Sequence, residues 1–256
     1  MAKYNRYINY VKKILNESPE EWSFKSHPDY MYMLEHVSKE QGNMYLEGLS
    51  GFLTSYNFPI RDKLLEITNS NDKFGNPKKE KFDGFMECSP TNLRYIRHSL
   101  NILDFIKQNK LTKDINIIEI GGGYGGLCLF IQKLGEFMGI KINSYTIFDL
   151  PEAMQLQEKY LNACSVNVKF NSLDNLKKIE SNSFLVSTYA FSEIDMKLQQ
   201  LYTEKVLNPF VSHGYIAWNM IDVYDFIDNK DIMTEPEVPK TGRKNCIVKF
   251  RPKQTS

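Results

Sequence analysis

The chain has 256 residues, 42% apolar and 25% charged, with a formal net charge of +1. This balance suits one globular α/β domain with an appendage and gives no bulk electrostatic case for nucleic acid or an anionic membrane. No stretch approaches the roughly 18 apolar residues of a membrane helix. Met1–Leu15 interleaves Lys3, Arg6, Lys12 and Lys13 with its apolar residues, so it has no signal-peptide core. The cysteines at 88, 128, 164 and 246 are scattered without C-x-x-C spacing. They read as reduced thiols of a cytoplasmic protein, with no zinc site.

Residues 1–68 read as helices. Tyr4, Tyr7, Ile8, Val11, Ile14 and Leu15 recur at three- and four-residue intervals, which makes one apolar stripe. Tyr30–Val37, Gly42–Tyr56 and Ile60–Ile67 continue the helical reading with weaker periodicity. Asn69–Cys88 is rich in Asn, Asp, Lys, Gly and Pro and reads as a polar lid or a disordered loop. Ser89-Pro90 is an N-cap followed by proline at the first helical position, and the helix it opens runs through Leu93, Ile96, Leu100, Leu103 and Ile106.

From Asp114 onward strands and helices alternate. Strands are expected at Ile115–Ile120, Ile142–Phe148, Val166–Phe170, Ser183–Thr188 and Gly214–Asn219, with helices over Leu127–Phe137, Pro151–Leu161 and Asp195–Leu207. A strand over Asn245–Arg251 follows a Thr241-Gly242 turn signal, so the last two strands are expected to form an antiparallel hairpin. The pattern predicts an α/β fold, a mostly parallel doubly wound sheet behind an N-terminal helical cap. The expected division is a helical region with its loop over residues 1–88 and a sheet domain over 89–256. No internal repeat is visible.

The segment with most chemical content is Ile117-Ile118-Glu119-Ile120-Gly121-Gly122-Gly123-Tyr124-Gly125-Gly126. A strand ends in an acid and turns through glycines into an apolar helix. Glycine reaches positive φ and lets backbone N–H groups come close to a ligand. Packing alone is the competing explanation, but five glycines cost backbone entropy with no evident packing return. Glu119 stands where a nicotinamide-type fingerprint has an apolar residue. The second strand ends in Asp149, followed by Leu150-Pro151-Glu152 at the next helix start, and an acid there can accept hydrogen bonds from both ribose hydroxyls of an adenosine.

E-x-G-x-G-x-G with Asp149 resembles motifs I and II of class I S-adenosylmethionine (SAM)-dependent methyltransferases, in which a terminal antiparallel strand completes the sheet. The resemblance implies SAM as cofactor, with Glu119, Gly121, Gly122, Gly123, Gly125, Asp149, Leu150, Asn171, Ser172 and Arg94 around it. Backbone donors of the glycine turn would meet the methionine end, Asp149 the ribose, Asn171 and Ser172 the adenine, and Arg94 the carboxylate.

The acceptor would meet the methyl group at Tyr189-Ala190-Phe191-Ser192-Glu193. Base-directed amino-methyltransferases carry D/N-P-P-Y/F there, whereas this chain has Ser187-Thr188-Tyr189-Ala190. A hydroxyl acceptor needs a base or a metal. Glu193, Tyr189 and His98 are the catalytic candidates, Glu193 as base or metal ligand, unless it merely complements the dipole of the next helix. Arg94 and His98 share a helix face. Arg97 reads as surface, and His36 as a capped or exposed histidine, with a place lining an acceptor site as the alternative. Lys240, Arg243, Lys244, Lys249 and Arg251 read as a solvated edge or as a phosphate-binding patch.

"YMYMLEHVSKEQGNMYL", "SPTNLRYIRHSL", "YTIFDLPEA", "STYAFSEID" and "PKTGRKNCIVKF" resemble the sugar O-methyltransferase family of bacterial surface-polysaccharide clusters. What the family implies is a cytoplasmic enzyme methylating a hydroxyl of a small-molecule acceptor, a nucleotide- or lipid-linked sugar; a homodimer is a further expectation for its assembly. A phosphate or phosphoramidate oxygen is the nearest alternative acceptor. A nicotinamide oxidoreductase and a non-catalytic SAM-binding protein are the other readings.

Overall fold

The computed structural model describes residues 2–55 and 58–253. Tyr56, the expected end of one helix, and the side chain of Tyr4 lie outside the described part. The chain divides into two compact units, one of Met1–Lys110, Gly123–Ile140 and Leu150–Asn167, the other of Leu111–Gly122, Lys141–Asp149 and Val168–Ser256. The helix expected at the entrance of the sheet domain, Pro90–Gln108, belongs to the first unit.

The first unit is helical. It contains α1 (Ala2–Ile14), α2 (Pro28–Met31), α3 (Lys39–Ser55), α4 (Phe58–Asp72), α5 (Pro90–Gln108), α6 (Gly126–Phe137) and α7 (Pro151–Ala163). A small antiparallel hairpin pairs β1 (Glu80–Lys81) with β2 (Glu87–Cys88). The apolar stripe of α1 buries Tyr7, Val11 and Ile14, as its spacing requires, and α1 packs on α7. The helix expected over Tyr30–Val37 shrinks to α2. Pro28 and the His27 cap start it, but the Leu34 carbonyl accepts from Arg94 Nη2 at 2.9 Å instead of continuing a helix.

Asn69–Cys88 is neither a lid nor a disordered loop in this structure. Its first residues finish α4, and Phe74, Phe82, Phe85 and Cys88 are buried. The polar residues between those anchors had hidden them.

A buried polar network holds this unit. Asn71 Oδ1 accepts from Lys25 Nζ at 3.0 Å and from the Tyr160 hydroxyl, while its Nδ2 donates to Asn92 Oδ1 at 2.6 Å and Tyr124 Oη at 3.1 Å. The Asn71 carbonyl takes Lys25 Nζ at 2.6 Å. Next along α4, Asp72 accepts from the amide and hydroxyl of Ser89 at 2.7 and 2.8 Å and from Asn92 at 2.8 Å. Ser89 is therefore the N-cap residue of α5 by position, but its hydroxyl is turned to Asp72. Lys25 lies 4.3 Å from the Tyr124 ring centroid, a cation–π contact made stronger by burial, and desolvation lowers its pKa.

The second unit is built on a seven-stranded sheet of order β5-β4-β3-β6-β7-β9-β8. The strands are β3 (Ile115–Ile120), β4 (Ile142–Phe148), β5 (Lys169–Asn171), β6 (Ser183–Thr188), β7 (Val211–Trp218), β8 (Lys230–Pro236) and β9 (Cys246–Pro252). β3 to β7 are parallel; β9 runs antiparallel to both β7 and β8. The near-continuous apolar runs of β3 and β6 follow from burial on both faces. β9 does pair antiparallel with β7 as expected, but β8 intervenes in the chain and forms the sheet edge. Its sequence, with Asp231, Glu235 and Pro236, has no apolar alternation to announce it.

After β6 come α8 (Ala190–Glu193), α9 (Met196–Tyr202) and α10 (Asn208–Phe210), the last two joined by a π turn over Thr203–Leu207. Pro209 lacks an amide donor and its ring crowds the carbonyl four residues back, which accounts for the widened turn. The core of this unit gathers Ile118, Phe148, Leu185, Phe191, Trp218, Phe226 and Phe250.

Cys88, Cys128 and Cys164 are free and buried, and Cys246 is half-buried; burial pushes the Cys88 thiol up to about 12. Among the described residues no helix is long and apolar enough to cross a membrane.

Replacing Asn71 with alanine removes the side-chain partner of Lys25, Asn92 and two tyrosine hydroxyls, while the backbone carbonyl at position 71 still holds the Lys25 ammonium. Urea denaturation should show a loss of about 3 kcal/mol or more, the sum of several unmade buried hydrogen bonds.

Candidate active site

In an open parallel sheet, ligands bind at the carboxyl ends of strands where the strand order reverses. Here the chain moves outward from β3 to β4 and β5, then returns to β6 on the other side of β3. The switch point lies between β3 and β6. Glu119, Gly121 and Gly122 stand at or just beyond the tip of β3, Asp149 beyond β4, Tyr189 and Ala190 beyond β6, and Asn219 beyond β7.

Glu119 is 1% exposed. Its Oε2 accepts from the Tyr145 hydroxyl at 2.9 Å, while its buried Oε1 has no hydrogen-bond partner. Burial, reinforced by the Asp149 charge, raises its pKa to about 8. Asp149 is half-buried and accepts from the Gly122 amide at 2.9 Å through Oδ2. The Gly121 amide donates to the Phe148 carbonyl at 2.9 Å. Two of the backbone donors expected to face a ligand are thus used within the sheet unit, Gly122 on the very carboxylate expected at the ribose.

The glycines also have the packing role that the sequence left out. Gly121 has φ +77°, and a Cβ there would lie 2.1 Å from Ala190 Cβ. On the helical side of the turn, Gly123 and Gly125 have φ of +60° and +100°. A Cβ on Gly125 would lie 2.9 Å from Leu161 Cγ, and one on Gly126 2.6 Å from the Tyr95 ring. Gly123 accepts from Gln157 Nε2 at 2.9 Å, and Tyr124 is buried in the Asn71 network. Close packing therefore demands three of these glycines by itself.

Asn171, expected beside an adenine, organises its own loop. Its Oδ1 accepts from the amides of Ser172 and Lys177, both at 2.9 Å, and its Nδ2 donates to the Lys177 carbonyl at 3.2 Å. Ser172 Oγ accepts from the Asn175 amide at 3.2 Å. Leu150 is exposed at the N-cap of α7.

The tip of β6 is conformationally unusual. Tyr189 has φ +68°, a left-handed backbone that a bulky residue adopts only when its surroundings impose it. Its hydroxyl donates to Glu237 Oε1. Glu237 is 3% exposed and its Oε2 takes the amide and hydroxyl of Thr241, both at 2.7 Å. Glu193 is exposed and accepts from Asn219 Nδ2 at 2.5 Å; the Asn219 amide in turn donates to Ser192 Oγ at 3.0 Å. Asp195 caps α9 through the Lys197 amide at 2.9 Å, so the dipole-complementing role weighed for Glu193 falls to its neighbour. Asn219 and Glu237 were missed by sequence reading. Asn219 had a signal as the last residue of an expected strand; Glu237 had none, because the strand before it was not foreseen.

Arg94 and His98 are in the helical unit. Arg94 is buried and bonded to the Leu34 carbonyl. His98 is 3% exposed, and burial, with Arg94 and Arg97 adding to it, drives its pKa to about 3. A base that weak is poorly matched to neutral pH. Arg97, expected at the surface, donates to the Gly48 carbonyl at 2.5 Å. His36 is exposed. In the terminal strands, Lys249 pairs with Glu235 at 2.7 Å and Lys244 with Asp222 at 3.0 Å.

The strand order, with its antiparallel β9 inserted between β7 and β8, is that of the class I methyltransferase fold. No protein-family model matches the chain, and no curated protein matches it in sequence. Among solved structures it is similar to an rRNA methylase from Streptococcus thermophilus (13% identity, 63% of this chain and 98% of that one, TM-score 0.44). It is also similar to a glycopeptide N-methyltransferase complexed with SAM (11% identity, 61% and 87%, TM-score 0.43). A protein from Thermoplasma acidophilum matches over 75% of this chain and 98% of its own, with 12% identity and a TM-score of 0.41. At these scores the superpositions add nothing to the topology, which stands on strand order.

Glu119 gives a pH signature. Its pKa is raised from 4.5 unfolded to about 8 folded, so the folded state holds the extra proton between those values. The stability it contributes is fully present below pH 4.5 and is lost as pH rises through about 8. Glu119→Gln should flatten that segment of the stability–pH curve and be the more stable of the two above pH 8; parallel curves would contradict the assignment.

Proposed function

We propose that this chain is a SAM-dependent O-methyltransferase acting on a sugar hydroxyl of a surface-polysaccharide precursor in the cytoplasm. The observation that carries the reading is the pair of carboxylates at adjacent strand tips: Glu119 with a buried oxygen lacking any partner, and Asp149 at the end of the next strand. An unpartnered buried carboxylate oxygen is costly unless a ligand donor completes it, and the methionine ammonium of SAM is such a donor. Asp149 suits the ribose hydroxyls, with its present bond to Gly122 fixing its orientation.

Bound SAM supplies a methyl group on a sulfonium, so the leaving group is already activated. What remains for the chain is to place the acceptor oxygen in line and remove its proton. Glu193, steadied by Asn219, is exposed and free to accept that proton. Tyr189, locked by Glu237, shapes the same strand-tip region. The sugar acceptor is supported by the family resemblance and by the missing D/N-P-P-Y/F motif. The phosphate or phosphoramidate alternative draws less support, since Lys244 and Lys249 are engaged with acids. Glu119 weighs against a nicotinamide cofactor.

S-adenosylhomocysteine should raise the melting temperature through mass action while NAD leaves it unchanged. Asp149→Ala should weaken that binding by about 1–3 kcal/mol in calorimetry. An NAD signal without one for S-adenosylhomocysteine would overturn the reading.

Turnover tests the proton acceptor. Glu193→Gln should lower kcat by roughly 10²–10⁴-fold while S-adenosylhomocysteine affinity stays near wild type. Asn219→Ala should produce a smaller loss of the same kind. Full turnover in Glu193→Gln would leave Glu193 a surface carboxylate.

A further inference from the structure

Glu237 follows β8, and its buried carboxylate collects three donors. The Tyr189 hydroxyl donates to Oε1, and the amide and hydroxyl of Thr241 donate to Oε2, both at 2.7 Å. Hydrogen bonds to a carboxylate are roughly twice as strong as neutral ones, so this is a stiff anchor.

What it anchors is the turn into α8. Tyr189 is the N-cap residue of that helix, and its φ of +68° persists only where the surroundings over-determine it. Its amide donates to the Ala217 carbonyl at 2.7 Å, and Glu237 holds the far end of its side chain. The opposite side has no slack, since a Cβ on Gly121 would lie 2.1 Å from Ala190 Cβ. α8 is four residues long and ends at Glu193, so the direction in which Tyr189 sends the chain sets where Glu193 stands.

A polar path runs the same way. The Ser192 hydroxyl hydrogen lies between Asn219 Oδ1 at 2.7 Å and the Tyr189 carbonyl at 3.1 Å. The Asn219 amide donates back to Ser192 Oγ at 3.0 Å, and its Nδ2 donates to Glu193 Oε1 at 2.5 Å. Lys244 and Asp222, 3.0 Å apart, tie the 237–245 loop to the segment after β7. The segments that follow β6, β7 and β8 are thus joined to one another. Resting on the reading of Glu193 as proton acceptor, we propose that Glu237 is its positioning residue: it fixes Tyr189 and, through α8, Ser192 and Asn219, holds the Glu193 carboxylate in place. Being buried, it acts through Tyr189 and not on a ligand.

The Asn219 side-chain amide reports the position of Glu193 without any acceptor. In proton–nitrogen correlation spectra of the full chain its signals are those lost in Asn219→Ala, and Glu193→Ala marks where they lie without their partner. Glu237→Ala and Tyr189→Phe should both move them toward that mark. Tyr189→Phe removes one hydroxyl and leaves Glu237 on Thr241, so it keeps the test decisive should Glu237→Ala misfold. Unmoved signals in Tyr189→Phe would overturn the proposal.

Methyl transfer from tritiated SAM to methyl glucoside gives the second readout. Each variant should lower kcat roughly ten- to a hundredfold, the scale of a misplaced reacting group, with the KM for SAM unchanged. In a Glu193→Gln background neither should lower it further; additive losses would make Glu237 a plain structural anchor and overturn the proposal. S-adenosylhomocysteine binding on the same samples separates the two readings. A chain that does not bind it takes both readings down. A chain that binds it and is slowed by Glu193→Gln but not by Tyr189→Phe loses only the positioning role.

Discussion

The glycine turn after β3 is held by hydrogen bonds at both of its ends, and much of the molecule is arranged to provide them. At the strand end, the Gly121 and Gly122 amides donate to the backbone and side chain at the end of β4. At the helix end, Tyr124 is anchored through its hydroxyl to Asn71, and the Gly123 carbonyl accepts from Gln157. A turn with three positive-φ glycines would otherwise be among the most mobile parts of the chain, since glycine surrenders more conformational freedom than any other residue on ordering. Tyr124 is what spares it: the one large residue in the turn converts backbone permissiveness into a fixed geometry.

The same logic separates the carboxylates. Glu119 and Asp149 are neighbours along parallel strand tips, yet one is sealed in the sheet and the other keeps a solvent-facing side. Burial makes Glu119 reluctant to ionise while Asp149 already serves a backbone amide.

Much of this was legible in the sequence, and the residues say why. β3, β4 and β6 announce themselves because strands buried on both faces must be apolar throughout, and the Gly-rich turn because glycine adopts positive φ at the least cost. β8 was invisible because an edge strand with one solvated face carries Asp and Glu freely. Phe74, Phe82 and Phe85 were passed over because anchors in a loop follow no period. The packing duty of Gly121, Gly125 and Gly126 depends on Ala190, Leu161 and Tyr95, which are distant in sequence. His98 is the same lesson in electrostatics: helical spacing showed that it shares a face with Arg94, and spacing alone does not reveal that the face is buried.

The thiols give the molecule a built-in pair of reporters. Cys88, Cys128 and Cys164 are all sequestered in the helical unit, whereas Cys246 is half-buried in the sheet unit. A thiol reagent attacks only the thiolate and only where it can reach, so modification of the first three can proceed no faster than the local openings that expose them. Reaction at Cys246 follows a different set of openings. Alkylation followed by peptide mapping thus times the breathing of the two units independently, in the native protein, without introducing a single label.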